Sequence, residues 1–173
     1  YDNAWFQQED LFISGKKGYH TYRIPALVVS RKGTILAFCE GRKYSDSDAG
    51  KINLVLKRSF DGGKTWGDMQ VIVADGDMTC GHGIQLKNGS MVIPCDHIVG
   101  KNSGEQDPSH SHIIYSDDHG TSWKIGGIVD EGTNECAVVQ TVDGSLYINC
   151  RNANHYKEFP GNIHRAYAWS EDN

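Results

Sequence analysis

The sequence contains no long hydrophobic run, no sustained helical pattern and no basic stripe. None of its apolar stretches approaches the roughly 20 residues that a membrane-spanning helix needs. No segment keeps apolar residues at helical spacing, whereas Gly is frequent (20 of 173 residues) and lies mostly in turn dipeptides. This pattern predicts an all-β protein. The net charge of −5 and the lack of clustered Lys and Arg argue against a nucleic-acid partner.

A signal-peptide pattern is also missing, and the first residue is Tyr1. We therefore expect a processed, trimmed or partial chain. The length of 173 residues suggests a single domain.

The five cysteines leave at least one thiol unpaired, and their spacing is regular. Cys39, Cys95 and Cys150 follow one another at nearly equal intervals, and the interval from Cys80 to Cys136 is the same. Equivalent positions in a repeat predict small buried thiols rather than a disulfide ladder or a metal site.

One turn motif recurs along the chain. Ser59–Trp66 has the pattern Ser-x-Asp-x-Gly-x-Thr-Trp, and Ser116–Trp123 repeats it with Ser in place of Thr, at nearly the interval that separates the cysteines. A third copy starts at Ser170, and the chain stops inside it. The Asp is predicted to accept turn amides, the Gly to supply a positive φ, and the Trp to pack under the turn. These boxes are therefore predicted to be structural.

Apolar strands keep the same register as the boxes. Turn dipeptides at Lys32-Gly33, Asn88-Gly89 and Asp143-Gly144 each precede a strand, and a further strand precedes each box. Each repeat of about 56 residues is read as a four-stranded antiparallel meander, which is typical of a propeller blade. We predict blades at about 20–75, 79–130 and 134–173.

In such a blade, the start of strand one and the end of strand two lie on the same face. The stretch Tyr22-Arg23-Ile24-Pro25 opens an apolar strand that is predicted to be buried, and a guanidinium there requires an anionic partner. Three further arginines, Arg31, Arg58 and Arg165, are predicted to lie elsewhere, solvated or supporting turns. The residues expected to converge on the Arg23 face are Arg23, Arg42, Asp48, Asp96, Glu135 and Arg151.

Tyr22-Arg23-Ile24-Pro25, the repeated boxes, and the segment that runs from Glu135 to Arg151 resemble the exo-α-sialidases. The resemblance covers nearly the whole chain but only the first half of the family's domain. It implies a six-bladed β-propeller, of which about three blades are present here. It also implies removal of terminal sialic acid from glycans, with sialylated glycans as partners and no cofactor.

The resemblance assigns a role to each matched residue. Arg23 and Arg151 match two of three arginines that hold the sialic acid carboxylate, and Arg42 matches an additional pocket arginine. Asp48 matches the general acid/base, and Glu135 matches the carboxylate that activates a tyrosine nucleophile. The third arginine and the tyrosine belong to later blades. We therefore expect this chain alone to be inactive and to fold poorly, and the rest of the propeller to be required.

Other interpretations of these residues remain open. Arg23 could be a structural arginine paired with Glu135. Asp48 could be a solvated loop acid, and Asp46 is its rival for the acid role. Asp96 could touch the ligand or, with its neighbour His97, only rim the pocket.

Histidines and one sequon also allow two interpretations. His82 could face the pocket near the N-acyl group of the ligand. His110 and His112 alternate along one strand, but they lack a third ligand, so a zinc site is not favoured. The sequence Asn88-Gly89-Ser90 fits a glycosylation sequon, but we interpret it as a hairpin turn.

Two other functions fit the same pattern. Because the boxes mark a fold and not an activity, a sialoglycan-binding propeller without catalysis is one alternative. A trans-sialidase with the same pocket and a different acceptor is the other. The resemblance favours a secreted, periplasmic, cell-surface or lysosomal protein over a cytoplasmic one.

Overall fold

The computed structural model describes residues 8–48, 50–76, 78–99, 108–152 and 164–171. Across these ranges the backbone forms β-strands and no helix, so no helix suited to crossing a membrane occurs among them. The all-β prediction is therefore confirmed. The strands are β1 Thr21–Val29, β2 Ile35–Arg42, β3 Ile52–Ser59, β4 Gln70–Val73, β5 Met78–Cys80, β6 Ile84–Gln85, β7 Met91–Ile98, β8 Ser109–Ser116, β9 Lys124–Ile128, β10 Thr133–Gln140, β11 Leu146–Asn152 and β12 Arg165–Ser170.

The strands form three antiparallel sheets that follow the sequence repeat. The first has the order β1-β2-β3-β4, and the third has the order β10-β11-β12. In the second sheet, β5-β7-β8-β9, the predicted first strand is split, because β5 and β6 both pair with β7. Within each sheet, strands that follow one another along the chain pair antiparallel, and this pairing produces the meanders. The Asn88-Gly89 dipeptide forms a turn, in which Ser90 N–H donates to Asn88 Oδ1 at 2.9 Å.

The register places the boxes at the opposite end of the sheet from Arg23. Along β2 and β3, Ile35 pairs with Ser59 beside the first box, and Arg42 pairs with Ile52 at the other end. Arg23 pairs with Glu40 close to that second end. The prediction that the boxes lie away from the Arg23 face is thus confirmed.

The box of the second sheet has the predicted turn contacts. Asp118 Oδ1 accepts the Ser122 N–H at 2.8 Å, and Gly120 has a φ of 82°. Trp123 packs edge-on against Phe38 of the first sheet, with ring centroids 5.4 Å apart. The box therefore fixes its own turn and also joins two neighbouring sheets. In the third copy, Asp172 and Asn173 lie outside the described residues.

The main core lies between the first and second sheets, and β1 contributes only one of its faces. Ala26 and Val28 are buried in that core, whereas Leu27 and Val29 on the other face are about half exposed. The prediction of a strand buried on both sides was wrong. An antiparallel strand with one packed face alternates between buried and exposed positions, even when its sequence is continuously apolar.

The N-terminal segment covers the other face of the first sheet. Tyr19 packs over Gly41, where an added Cβ would lie 2.7 Å from the ring, and accepts a hydrogen bond from Asn53 Nδ2 at 2.7 Å. The Lys57 ammonium donates to the Leu11 carbonyl at 2.9 Å. Gly41 is thus required because the ring approaches the backbone closely.

Two of the cysteines contradict the prediction of free thiols. Cys80 on β5 and Cys95 on β7 form a disulfide, whereas Cys39, Cys136 and Cys150 are free. The spacing argument ignored strand pairing. Cys80 and Cys95 are directly opposed in the ladder, which brings their side chains together on one face of the sheet.

Candidate functional site

A bulge in β1 shapes the start of the candidate site. The register between β1 and β2 shifts between Arg23 and Ala26, and Ile24 within this shift has a φ of 54°. A positive φ is a genuine outlier for a β-branched residue and costs on the order of 1–3 kcal/mol. Bulges commonly re-aim a side chain beside an active site. Here the bulge directly follows Arg23, whose side chain contacts the loop after β2.

Asp48 lies between two arginines at this end of the first sheet. Its Oδ1 is 2.9 Å from Arg23 Nη1 and 2.7 Å from Arg42 Nη1. The Asp46 carbonyl also accepts from both guanidinium groups, so the loop is held by its backbone as well. The hydrogen bond from Arg42, followed by the charges of both arginines, lowers the pKa of Asp48. The Asp48 side chain is nevertheless 82% exposed, so solvent and ligands can reach it.

Arg42 also binds a buried carboxylate, that of Glu40. Glu40 Oε2 accepts from Arg42 Nε at 2.8 Å and from Nη2 at 2.6 Å, and the two side chains are only 1% and 3% exposed. Glu40 Oε1 accepts a hydrogen bond from Thr79 of the second sheet. Burial alone would lower the pKa of Arg42, but the bonds to Glu40 and Asp48 raise it overall. Arg42 is therefore a fixed cation that connects the sheet interface to the Asp48 loop.

The pKa of Asp96, on the second sheet, is affected by charged residues of the other two sheets. Asp96 lies opposite Thr79 in the ladder of the second sheet. Burial, followed by the negative charges of Glu135 and Glu40, raises its pKa to about 7. Glu135 belongs to the third sheet and Glu40 to the first. The role of Asp96 as a ligand contact remains a prediction.

The third sheet contributes a carboxylate and an arginine that pair with each other. Glu135 Oε2 is 3.3 Å from Arg151 Nη1, and both side chains are substantially exposed. The alternative pairing of Arg23 with Glu135 is not what the structure contains, since the contacts of Arg23 are with Asp48 and Asp46. The two candidate carboxylates therefore have different arginine partners: Asp48 contacts Arg23 and Arg42, whereas Glu135 contacts Arg151.

The structure shows which protein atoms the candidate histidines contact. His82 Nδ1 accepts the Leu27 N–H at 3.2 Å, which places it between the first two sheets; its contact with an acyl group remains a prediction. His97 Nδ1 lies 3.1 Å from His112 Nδ1, and the His97 ring stacks on His110 at 5.7 Å. Across the described ranges, no group of three or more His, Cys, Asp or Glu side chains could hold a metal ion.

Sequence reasoning missed two residues at this end of the sheets. Glu40 was not assigned to the site, although it lies two positions before Arg42 on the same face of β2. Arg165 was predicted to lie elsewhere, and this was wrong, because it pairs with Arg151 in the ladder between β11 and β12. The signal was present in the strand order, since the start of strand three lies beside the end of strand two.

Comparisons with known proteins agree with this architecture. A sialidase of Micromonospora viridifaciens is 25% identical, over 86% of this chain and 35% of its own. An exo-alpha-sialidase of Aspergillus fumigatus is 30% identical, over 61% of this chain and 32% of its own. Among solved structures, the Hadza microbial sialidase Hz136 superposes with a TM-score of 0.54 at 18% identity, over 92% of this chain and 46% of that one. At this identity the superposition shows the fold alone.

The chain spans about a third of the length of these two relatives. The BNR repeat-like domain family matches residues 2–173, which is nearly the whole sequence. The repeated boxes, the antiparallel sheets and this match agree: the chain belongs to the BNR repeat-like domain family.

Proposed function

We propose that this chain carries part of the active site of a retaining exo-α-sialidase, which hydrolyses terminal sialic acid from glycoconjugates. The observation that carries the proposal is the contact between Arg23 and Asp48. The arginine at the bulge already binds a carboxylate at 2.9 Å, and this carboxylate is the exposed side chain of Asp48. The same geometry would suit a ligand carboxylate next to a general acid.

In the proposed mechanism, the sialic acid carboxylate replaces Asp48 on Arg23. The guanidinium fork binds a carboxylate through two parallel hydrogen bonds, which a lysine cannot reproduce. Arg151 is the second proposed carboxylate ligand, and it would leave Glu135 in the same way. Arg42 keeps its bonds to Glu40 and Asp46, so its contribution is to hold the Asp48 loop.

Asp48 must hold a proton in order to protonate the leaving oxygen. In the free site, Arg42 and Arg23 lower its pKa, which favours the ionised form. Ligand binding would oppose this lowering in two ways, although the contact with Arg42 would remain. It would remove the contact with Arg23 and bring a second negative charge close, and both changes raise the pKa of a carboxyl group. Asp48 would then act as the acid and afterwards activate water.

Glu135 is the proposed base for a tyrosine nucleophile, which later blades would supply. Sialidases differ from most retaining glycosidases in using a tyrosine. The anomeric carbon of sialic acid bears a carboxylate, so a neutral phenol avoids approach by a second anion. Glu135 would accept the phenolic proton as the tyrosine attacks. Until the ligand binds, the contact with Arg151 would hold the Glu135 carboxylate in place.

We further propose that the three sheets are the first blades of a six-bladed propeller, at about 20–75, 79–130 and 134–173. Sialylated glycans would bind at the end that carries Arg23. The third carboxylate-binding arginine and the tyrosine would lie on the remaining blades. Purified protein consisting only of these 173 residues should therefore not turn over a fluorogenic sialoside.

The acid role is tested in the protein that contains all blades, with two sialosides that differ in leaving group. Asp48→Ala should slow the substrate with a poor leaving group far more than the substrate with a good one, because only the former needs protonation. Asp46→Ala is the matched control, since only the Asp46 carbonyl is used in the described contacts. Equal losses on both substrates would remove Asp48 from the acid role.

A sialoglycan-binding propeller without catalysis is the second candidate. The lowered pKa of Asp48 favours it, because an ionised Asp48 can order Arg23 without doing acid chemistry. The two functions differ in a simple assay on the complete protein. A binding protein would retain sialyllactose unchanged, whereas a hydrolase would release free sialic acid from it.

A further inference from the structure

The free cysteines of the third sheet repeat the geometry of the disulfide in the second. Cys80 and Cys95 are directly opposed on β5 and β7, and they are bonded. Cys136 and Cys150 are directly opposed on β10 and β11, which are the equivalent strands of the next sheet. Directly opposed side chains of an antiparallel pair lie on one face with Cβ atoms about 4.5–5.5 Å apart. Cys39 on β2 has no opposed cysteine, because the bulge of β1 lies across from it.

The thiols of this second pair influence each other's ionisation. Their interaction is the largest cause of the pKa shift of each, raising that of Cys136 and lowering that of Cys150. Contact with Ser111 and the positive charge of Arg165 also lower the pKa of Cys150. The direction of this shift favours the thiolate form of Cys150, and the thiolate is the form that attacks a disulfide.

We propose that Cys136 and Cys150 are a second cross-strand disulfide site, filled when the protein meets an oxidising environment. With a small disulfide such as oxidised glutathione, one protein thiol first displaces one glutathione thiol and forms a mixed disulfide. The other protein thiolate then attacks the protein sulfur of that bond and displaces the second glutathione. Two protein thiols lose two electrons and two protons, and one glutathione disulfide becomes two thiols.

The location of the pair gives the bond a consequence for the candidate site. Cys136 directly follows Glu135, and Cys150 directly precedes Arg151. A bond between them would tie β10 to β11 right beside the Glu135–Arg151 contact. The Cys136 thiol also donates to the Cys95 carbonyl at 3.3 Å, next to Asp96, and oxidation removes that donor. Neither the cysteine geometry nor its test depends on the proposed sialidase activity.

The test is a map of the cysteine connections under controlled redox conditions. The purified protein that contains all blades is equilibrated in glutathione buffer, quenched with acid, alkylated in denaturant and digested for mass spectrometry. In reducing buffer, Cys39, Cys136 and Cys150 should all be alkylated. In oxidising buffer, a peptide joining Cys136 to Cys150 should appear, and the alkylatable thiols among the five cysteines of this chain should fall from three to one.

Cys39 serves as the internal control, because it is also buried but has no opposed partner. It should remain alkylatable in both buffers. The proposal is overturned if Cys136 and Cys150 stay alkylatable while the Cys80–Cys95 bond is intact. It is equally overturned if either cysteine is found joined to Cys39, to Cys80 or Cys95, or to glutathione alone. No variant is needed, so a folding defect caused by a substitution cannot obscure the result.

Discussion

Replacing Glu40 by Gln tests whether the buried ion pair holds the candidate site together. The substitution keeps the shape of the side chain but removes the charge that compensates the Arg42 guanidinium. Both side chains are almost fully buried and are joined by bonds of 2.6 and 2.8 Å. Removing one partner of a buried pair typically costs about 3–5 kcal/mol. Because Gln still offers an acceptor to Thr79, we expect a loss of about 3 kcal/mol, at the lower end of that range.

The measurement is urea unfolding followed by tryptophan fluorescence in the purified protein. A loss of about 3 kcal/mol should lower the urea midpoint by about 1–2 M. A double-mutant cycle with Arg42→Met isolates the pair. Once both charges are gone, no uncompensated ion remains buried, so the double variant should lose less stability than the two single losses combined. A coupling of about 1–3 kcal/mol is expected.

The pair of Lys43 and Asp75 is the matched control. Its contact, also 2.6 Å, joins side chains that are 28% and 43% exposed. Exposed pairs contribute at most about 1 kcal/mol, so Asp75→Asn should have a small effect. Additive losses for Glu40→Gln and Arg42→Met would refute the reasoning. So would a change no larger than that of the control.

Three further predictions concern the fold. Gly41→Ala should destabilise by about 1–3 kcal/mol in urea unfolding, because the new methyl group would lie 2.7 Å from the Tyr19 ring, whereas Gly127→Ala, with nothing within 4 Å, should not. Hydrogen bonds from Thr65 lower the pKa of Asp61 to about 2, so the stability that the Asp61 carboxylate provides is present above pH 4 and is lost as the pH falls through about 2. Asp61→Asn should reduce this acid dependence of the melting temperature. Burial lowers the pKa of His112 to about 4, so the stability that neutral His112 contributes is complete above about pH 6.5 and is lost as the pH falls through 4. His112→Gln should therefore reduce the change in melting temperature between these two pH values.

The repeat made most of the fold predictable. The boxes at Ser59–Trp66 and Ser116–Trp123 set the period, and the period determined which strand ends share a face. This is why Asp48, Asp96 and Glu135 could be placed at one end of the sheets before any geometry was known. Alternation within β1 was mistaken for full burial, because a run such as Ala26–Val29 is apolar on both faces. Sequence periodicity cannot separate a strand buried on one side from one buried on both when each face is apolar.

The side-chain ion pairs within the site were less predictable than the strands, because they depend on side-chain geometry rather than on strand register. The sequence indicated that Arg23 needs an anion but not that Asp48 already supplies it. The bulge at Ile24 directs the side chain of Arg23, and no sequence pattern predicts a positive φ at a β-branched residue. The disulfide was missed for a related reason. Spacing along the chain relates Cys95 to Cys39 and Cys150, whereas the ladder pairs it with Cys80.

The surroundings of Asp96 affect how any pH dependence of this site should be assigned. In the free site Asp48 faces two arginines, and its pKa is lowered, whereas Asp96 faces Glu135 and Glu40, and its pKa is about 7. Asp96 is therefore expected to contribute to any titration near neutral pH in the ligand-free protein, and this contribution should disappear in Asp96→Asn. Since its folded pKa exceeds its usual value, its contribution to stability is complete below about pH 4 and is lost as the pH rises through 7. Only a break that persists in Asp96→Asn and appears with bound ligand can be attributed to a proton on Asp48.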